Sequence, residues 1–536
     1  MTTMTGGQAV VATLKSEGVT AVFGIISVHM LPIYDALYDE PSIRLIVPRH
    51  ELAGGFMADG YSRVSGQVGV YLTSTGPGAA NSAGAVAEAW TGSSRVLQLT
   101  GQIDTPYLDQ GKGFLHEARD QLGMFDALGA RTARILTPQD APGCLHEAFS
   151  RLRPTRPGPY VLEMPIDQQY ATAEVDIGQS VSVSLPCPDD ADLDRAADLL
   201  ARARRPVLWL GGGVNTSGAH AEARQVAKTL GAAVFTTRGG RGSIPDDHPL
   251  VVGNFSNDAD ARAFLASADV VLAVGTRFSG QATQNWQLRL PPALVRVDID
   301  AAEVTHNYPP QVALVGDARL TLAGLLARLS ERKVQTEPGY REEIAALRER
   351  VRETARATAP RITALMDTIR QATPRETVFV TDSTIPAYYG ANHYLPVLAE
   401  RGFVSPHSVA IGPGLPFALG AQAAAPSQPV VLIAGDGGFM LHATELATAA
   451  EARLNVVICL FNNRGYGILR RFQKRRFEGR HIGVDLHTPD FVKLAEACGV
   501  RGERVMTTGE LGQALERALA ADAPVLLDIQ APLDEG

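Results

Sequence analysis

The residues best suited to chemistry in this 536-residue chain are a carboxylate and an amide, each placed just after an apolar run. Pro429-Val430-Val431-Leu432-Ile433-Ala434 reads as a buried strand and ends at Gly435-Asp436-Gly437-Gly438. A carboxylate between glycines can set an oxygen on a hard cation, while the glycine N–H groups approach phosphate oxygens. Residues 442–452 read as helix, and a helix N-terminus favours an anion. A second strand, Val456-Val457-Ile458-Cys459-Leu460-Phe461, then ends at Asn462-Asn463-Arg464-Gly465. An asparagine carbonyl is a neutral hard ligand for magnesium or calcium. The 27 positions from Asp436 to Asn463 hold one helix and one strand, so the crossover presents a second oxygen beside the first. Alone, Gly435-Asp436-Gly437 is also compatible with a plain Asp-Gly turn.

Other candidates lie far away in sequence. Val47-Pro48-Arg49-His50-Glu51-Leu52 opens a helical pattern, with Glu51 in a first turn where the helix dipole favours a carboxylate. The strand candidate Val68–Thr73 feeds Ser74-Thr75-Gly76-Pro77-Gly78-Ala79-Ala80-Asn81, a turn with a small-residue helix start. His29, His116 and His407 are imidazoles able to relay protons near neutrality, or satisfied structural residues. Asp382-Ser383-Thr384 ends another strand, where a plain turn and a diphosphate contact are equal readings, and Ile411 by itself reads as core.

Taken together, the loop at Asp436, a helix, a strand and Asn462-Asn463 closely resemble the signature of a thiamine-diphosphate superfamily. Its members include acetolactate synthase, benzoylformate decarboxylase and benzaldehyde lyase, and the resemblance covers the whole chain. It implies that Asp436, Asn463 and the backbone carbonyl of Gly465 hold Mg2+ against the diphosphate, with Gly435, Gly437, Gly438, Ile468, Asp382 and Ser383 around the cofactor. Glu51 is then the activating glutamate, which bonds the pyrimidine ring nitrogen and needs a dry pocket to share its proton. Thr75, Pro77, Gly78 and Asn81 resemble the loop over the pyrimidine, and Ile411 the wedge between the two cofactor rings. His29 and His116 are the candidate catalytic imidazoles, and His407, Leu469 and Phe472 the candidate substrate pocket.

The same resemblance implies a 2-oxo acid decarboxylase or carboligase of the acetolactate synthase-like type, working through a hydroxyalkyl-thiamine diphosphate intermediate. Rivals are an acetolactate synthase proper, a lyase of 2-hydroxy ketones or 2-hydroxyacyl-CoA, and a non-enzymatic cofactor-binding protein that kept the fold. In such enzymes the Glu51 and Asp436 segments of one site come from different chains, implying a homodimer or homotetramer with active sites between chains. FAD is not carried over, because Arg277-Phe278-Ser279-Gly280-Gln281 lacks the second arginine of the flavin-binding synthases. Gly211-Gly212-Gly213 is also not a GxGxxG fingerprint.

The elements that must position these residues follow from patterning. Short apolar runs alternate with helical patterns, which predicts α/β architecture: three doubly wound parallel-sheet domains, at 1–170, 190–330 and 360–536. Residues 171–190, without periodicity, read as a linker, and the Glu/Arg/Ala-rich 331–360 as an exposed helical connection. With 45% hydrophobic and 20% charged residues the composition is globular. The net charge of −8 offers no basic stripe for nucleic acid or a membrane surface, and Arg470–Arg476 reads as a solvated or anion-facing surface. No apolar stretch approaches the roughly 20 residues that span a bilayer. The N-terminus shows no signal-peptide pattern, and four scattered cysteines suit a reducing cytoplasm.

Overall fold

A computed structural model describes residues 1–153, 156–180, 183–530 and 533. Three six-stranded sheets, all parallel, carry the chain in sequence. The first holds β1 (Ala21–Gly24), β2 (Arg44–Ile46), β3 (Gly69–Thr73), β4 (Val96–Gln102), β5 (Arg131–Arg134) and β6 (Pro159–Pro165). The second holds β7 (Pro206–Leu210), β8 (Ala233–Thr236), β9 (Val251–Gly253), β10 (Val270–Val274), β11 (Leu294–Asp298) and β12 (Val312–Val315). The third holds β13 (Val378–Thr381), β14 (Phe403–Val404), β15 (Val430–Gly435), β16 (Val456–Phe461), β17 (Arg501–Val505) and β18 (Val525–Ile529). Helices cover both faces of such sheets, so the central strands read as unbroken apolar runs rather than alternating ones. Every residue of β16 is buried.

Strand order sets where ligands can bind. The first and third sheets share one order, β2-β1-β3-β4-β6-β5 and β14-β13-β15-β16-β18-β17, whereas the middle sheet runs β9-β8-β7-β10-β11-β12. In the outer sheets the winding reverses between the first and third strands. Open α/β sheets bind ligands beyond the carboxyl ends of strands at such a reversal. For the first sheet those ends lead into His29 and Thr75; for the third they lead into Asp382 and Asp436.

The outer domains meet through equivalent helices, α1 (Glu51–Ser65) and α2 (Gly414–Ala424). His50 caps α1, its Nδ1 accepting from the Leu52 N–H at 3.1 Å, and Gly66 ends it at a φ of 73°. A side chain at Gly420 would collide with the Met57 backbone carbonyl, so the two helices cross at backbone contact. Phe56 and Phe417 pack edge to face beside the crossing, and Phe23, Met57, Leu432 and Ile458 join them in one shared core.

Two expectations change. The segment 171–190 begins with a strand, Thr172–Val175, paired antiparallel with Thr2–Thr5; its residues 181 and 182 lie outside the described residues. The connection at 331–360 is not an exposed helix: Tyr340–Thr358 buries Ile344, Leu347, Val351 and Ala355 on one stripe. That 3–4 spacing is an amphipathic face hidden among many charges. Among the described residues, no helix is long and apolar enough to cross a membrane.

Candidate active site

The two strand ends singled out in the sequence lie side by side. Gly435 pairs in register with Phe461 across β15 and β16, so Asp436 and Asn462 leave the sheet at one level. Asp436 is 1% exposed, and its Oδ2 accepts the Gly465 N–H at 2.9 Å. Its Oδ1 is buried without a hydrogen-bond partner. Burial pushes this carboxyl above the ordinary aspartate range, against the pull of the Gly465 and Gly437 N–H groups. An unpartnered buried carboxylate oxygen costs on the order of 1–3 kcal/mol or more, a cost that a bound cation removes.

The surrounding cleft is lined by Ser383, Thr384, Ile411, Gly435 to Gly438, Asn463, Gly465, Ile468 and Leu469. A Cβ at Gly437 would stand 2.7 Å from the Tyr466 ring, so a side chain there would fill the cradle. Among the described residues no group of three or more His, Cys, Asp and Glu forms a metal cluster. A site of one carboxylate, an amide oxygen and a backbone carbonyl, completed by phosphate, is the oxygen set magnesium takes. The donors and the glycine cradle therefore fit a magnesium diphosphate.

The loop carrying Ile411 is anchored from below. Asp382 is buried; its Oδ1 accepts from Ser383 N at 2.6 Å and Gly412 N at 2.9 Å, and its Oδ2 from Gly414 N at 3.2 Å. Ser383 Oγ donates to the Ala410 carbonyl at 2.8 Å. Asp382 thus anchors the loop, with its carboxylate also against Gly438 of the cleft. The product of this anchoring is Ile411, an aliphatic side chain held 41% exposed at the cleft.

At the equivalent edge of the first sheet, Asn81 Nδ2 donates to Glu51 Oε2 at 3.1 Å, and Gly78 lies against the same carboxylate. Gly76 takes a φ of 58°, open to glycine, with the His116 backbone pressed against it. The His29 and His116 rings lie 5.0 Å apart with an interplanar angle of 40°. Both Nδ1 atoms are buried without partners. Burial first, and then His116, hold His29 below the usual histidine value, with Asp104 opposing. The fold therefore gathers Glu51, Thr75, Gly78, Asn81, His29 and His116 into one neighbourhood. Beneath it lie buried polar residues that spacing did not reveal: Gln102, Gln121 and Glu163. Their one sequence signal is a glutamate set inside the apolar run Tyr160-Val161-Leu162-Glu163-Met164.

Three expected residues sit elsewhere or differently. His407 lines a cavity of about 440 Å3 among the three domains, with Gly212, Arg238, Arg277 and Tyr388. Its Nδ1 accepts from Arg63 at 2.7 Å, and burial with Arg63 holds its value down at about 3, so it stays neutral there instead of lining the cleft. Phe472, on α3 (Gly467–Arg476), is half-exposed and does not line the cleft, whereas Ile468 and Leu469 do. In the basic run, Arg471 is buried with its guanidinium 4.2 Å from the Tyr389 ring centre, and so is not a solvated charge.

Comparison with known proteins agrees with this arrangement. Residues 4–124 match the family model for the N-terminal TPP binding domain of thiamine pyrophosphate enzymes. Residues 193–325 match their central domain and 387–529 their C-terminal TPP binding domain. A probable acetolactate synthase large subunit of Methanocaldococcus jannaschii is 34% identical over 98% of this chain and 92% of its own. A probable 2-ketoarginine decarboxylase of Pseudomonas aeruginosa is 36% identical over 98% and 94%. The acetolactate synthase isozyme 2 large subunit of Escherichia coli is 30% identical over 98% and 95%. With all three domains matched in order and relatives aligned over nearly the whole chain, the chain belongs to the thiamine pyrophosphate enzymes.

Proposed function

We propose that the protein is a Mg2+- and thiamine-diphosphate-dependent decarboxylase or carboligase of 2-oxo acids, of the acetolactate synthase-like type. The observation that carries this is the orphaned Oδ1 of buried Asp436, at a strand end level with the Asn462-Asn463 end. Asp436, Asn463 and the Gly465 carbonyl would hold the metal, and Gly435, Gly437 and Gly438 the diphosphate. Glu51, Thr75, Pro77, Gly78 and Asn81 would hold the pyrimidine, with Ile411 and Ile468 against the rings. The cofactor, once bound, supplies the carbon nucleophile and the electron sink for cleaving a bond beside a carbonyl.

The chain's own residues do the rest. Asn81 occupies Glu51 Oε2, which leaves Oε1 as the oxygen that exchanges a proton. His29, held neutral by burial, and His116 beside it can accept and return protons near the substrate. Leu469 and Ile411 present apolar surface that excludes water from the reacting groups. Completion of each site by a second copy, as a homodimer or homotetramer, and action in the cytoplasm belong to the same reading.

A second reading, acetolactate synthase proper, is favoured by the relatives of that name. Both are tested by loading the protein with Mg2+ and thiamine diphosphate and supplying a panel of 2-oxo acids, each with and without an aldehyde or second 2-oxo acid. Carbon dioxide release with aldehyde formation identifies a decarboxylase, and release only with joined products identifies a carboligase. No turnover of any member contradicts both.

A further inference from the structure

Glu163 is a fully buried carboxylate on β6, among Tyr160, Val161, Leu162 and Met164. It has three donors and no solvent: Gln121 Nε2 at 2.8 Å, Gln102 Nε2 at 3.1 Å and Arg134 Nε. The orientation of both amides is set independently by backbone groups. Gln121 Oε1 accepts the Gly76 N–H at 2.8 Å while its Nε2 also donates to the Gly101 carbonyl at 3.1 Å. Gln102 Oε1 accepts the Ile103 N–H at 2.8 Å. Neither amide can turn its oxygen to residue 163 without giving up a backbone bond, so Glu163 is the acceptor for both. Burial pushes its carboxyl up, and Arg134, with the two amides, opposes that rise.

Each amide partner of this carboxylate holds a different segment of the candidate site. Gln121 fixes the turn that lies over Glu51, through Gly76 N and through Thr75 Oγ1 at 3.0 Å. It also heads the helix Gln121–Ala127, which follows the loop bearing His116. Gln102 fixes the end of β4, whose Gly101 lies against the His29 backbone. We infer that Glu163 is a positioning residue: one buried carboxyl group that holds, through Gln102 and Gln121, the turn at Gly76 and the backbones beside His29 and His116 in their working register. A network of this kind is rigid only when every member is satisfied, so loss of its central acceptor loosens three segments together. The inference rests on the proposed function only in assigning work to those segments.

The test is Glu163→Gln in the protein loaded with Mg2+ and thiamine diphosphate. The substitution keeps the shape but replaces one acceptor oxygen with a donor, which then faces either Arg134 or the donors of Gln102 and Gln121. A site misplaced by about an ångström loses roughly ten- to a hundredfold in kcat, and that loss is expected here at a KM within about threefold of the parent. The near-ultraviolet circular dichroism of the bound cofactor should change in a variant that a cooperative melting transition shows to be folded. A kcat within about twofold of the parent, or an unchanged cofactor spectrum, overturns the inference. Should Glu163→Gln not fold, Arg134→Gln at the network's outer edge carries the test: lowered kcat at unchanged KM with an altered spectrum supports it, and parent-like values overturn it. If the parent turns over no 2-oxo acid, the functional proposal fails, and the spectrum of the loaded variant still decides the role of Glu163.

Discussion

Asp436 and Glu51 are both carboxylates in the first turn of a helix, and their surroundings differ. Asp436 is sealed in, with one oxygen on a backbone N–H and the other bare, an arrangement suited to a permanent counter-ion. Glu51 is only partly buried and has a single amide donor, which suits a group that must exchange a proton. Glu51→Gln keeps the size and the contact to Asn81 but cannot carry a proton. It should retain thiamine diphosphate while turnover falls by about 10²–10⁴-fold, the usual weight of positioned proton transfer, as steady-state kinetics with parallel binding titration would show. Turnover near the parent's would remove Glu51 from the chemistry. These two residues are legible in the chain because each stands in a short motif with its own local geometry. Glu163 is not legible, because its partners at 102, 121 and 134 come from separate elements and no spacing announces them.

At the scale of elements, the crossing of α1 with α2 couples the two domains that carry these carboxylates. Contact between the helix backbones depends on Gly420, where a Cβ meets the Met57 carbonyl. Gly420→Val should separate the helices and destabilise the protein by about 1–3 kcal/mol, read as a lower melting temperature, since a packed core does not absorb added methyl groups freely. An unchanged melting temperature would mean that the crossing yields. The strands β15 and β16 can be read from their apolar runs, because a strand buried on both faces needs nothing else. The helix Tyr340–Thr358 is harder: its five buried residues are outnumbered by charges, so composition suggests exposure while tertiary packing decides otherwise. The helix crossing and the place of His407 depend on contacts between distant segments and have no local signature.

Over the whole molecule, the first and third sheets have one topology, and each carries candidate site residues at the same edge. Among the described residues, those lining the cleft at Asp436 fall within 383–533, and none comes from the first domain. Large apolar side chains stand exposed on both halves: Ile26, Val28 and Leu115 beside the histidines, and Ile411, Leu469 and Phe472 on the third domain. Exposed apolar groups gathered at functional edges mark surfaces that a partner covers. In the proposed assembly, a second copy placing its first-domain edge on this third-domain edge would cover both and complete two sites by symmetry.

The most direct measurement mixes two inactive variants, Glu51→Gln and Asp436→Ala, unfolded and refolded together. If each site takes Glu51 from one chain and Asp436 from the other, mixed dimers contain one intact site, and roughly a quarter of the parent activity should return. Activity no greater than the sum of the two variants alone would contradict a site built between chains.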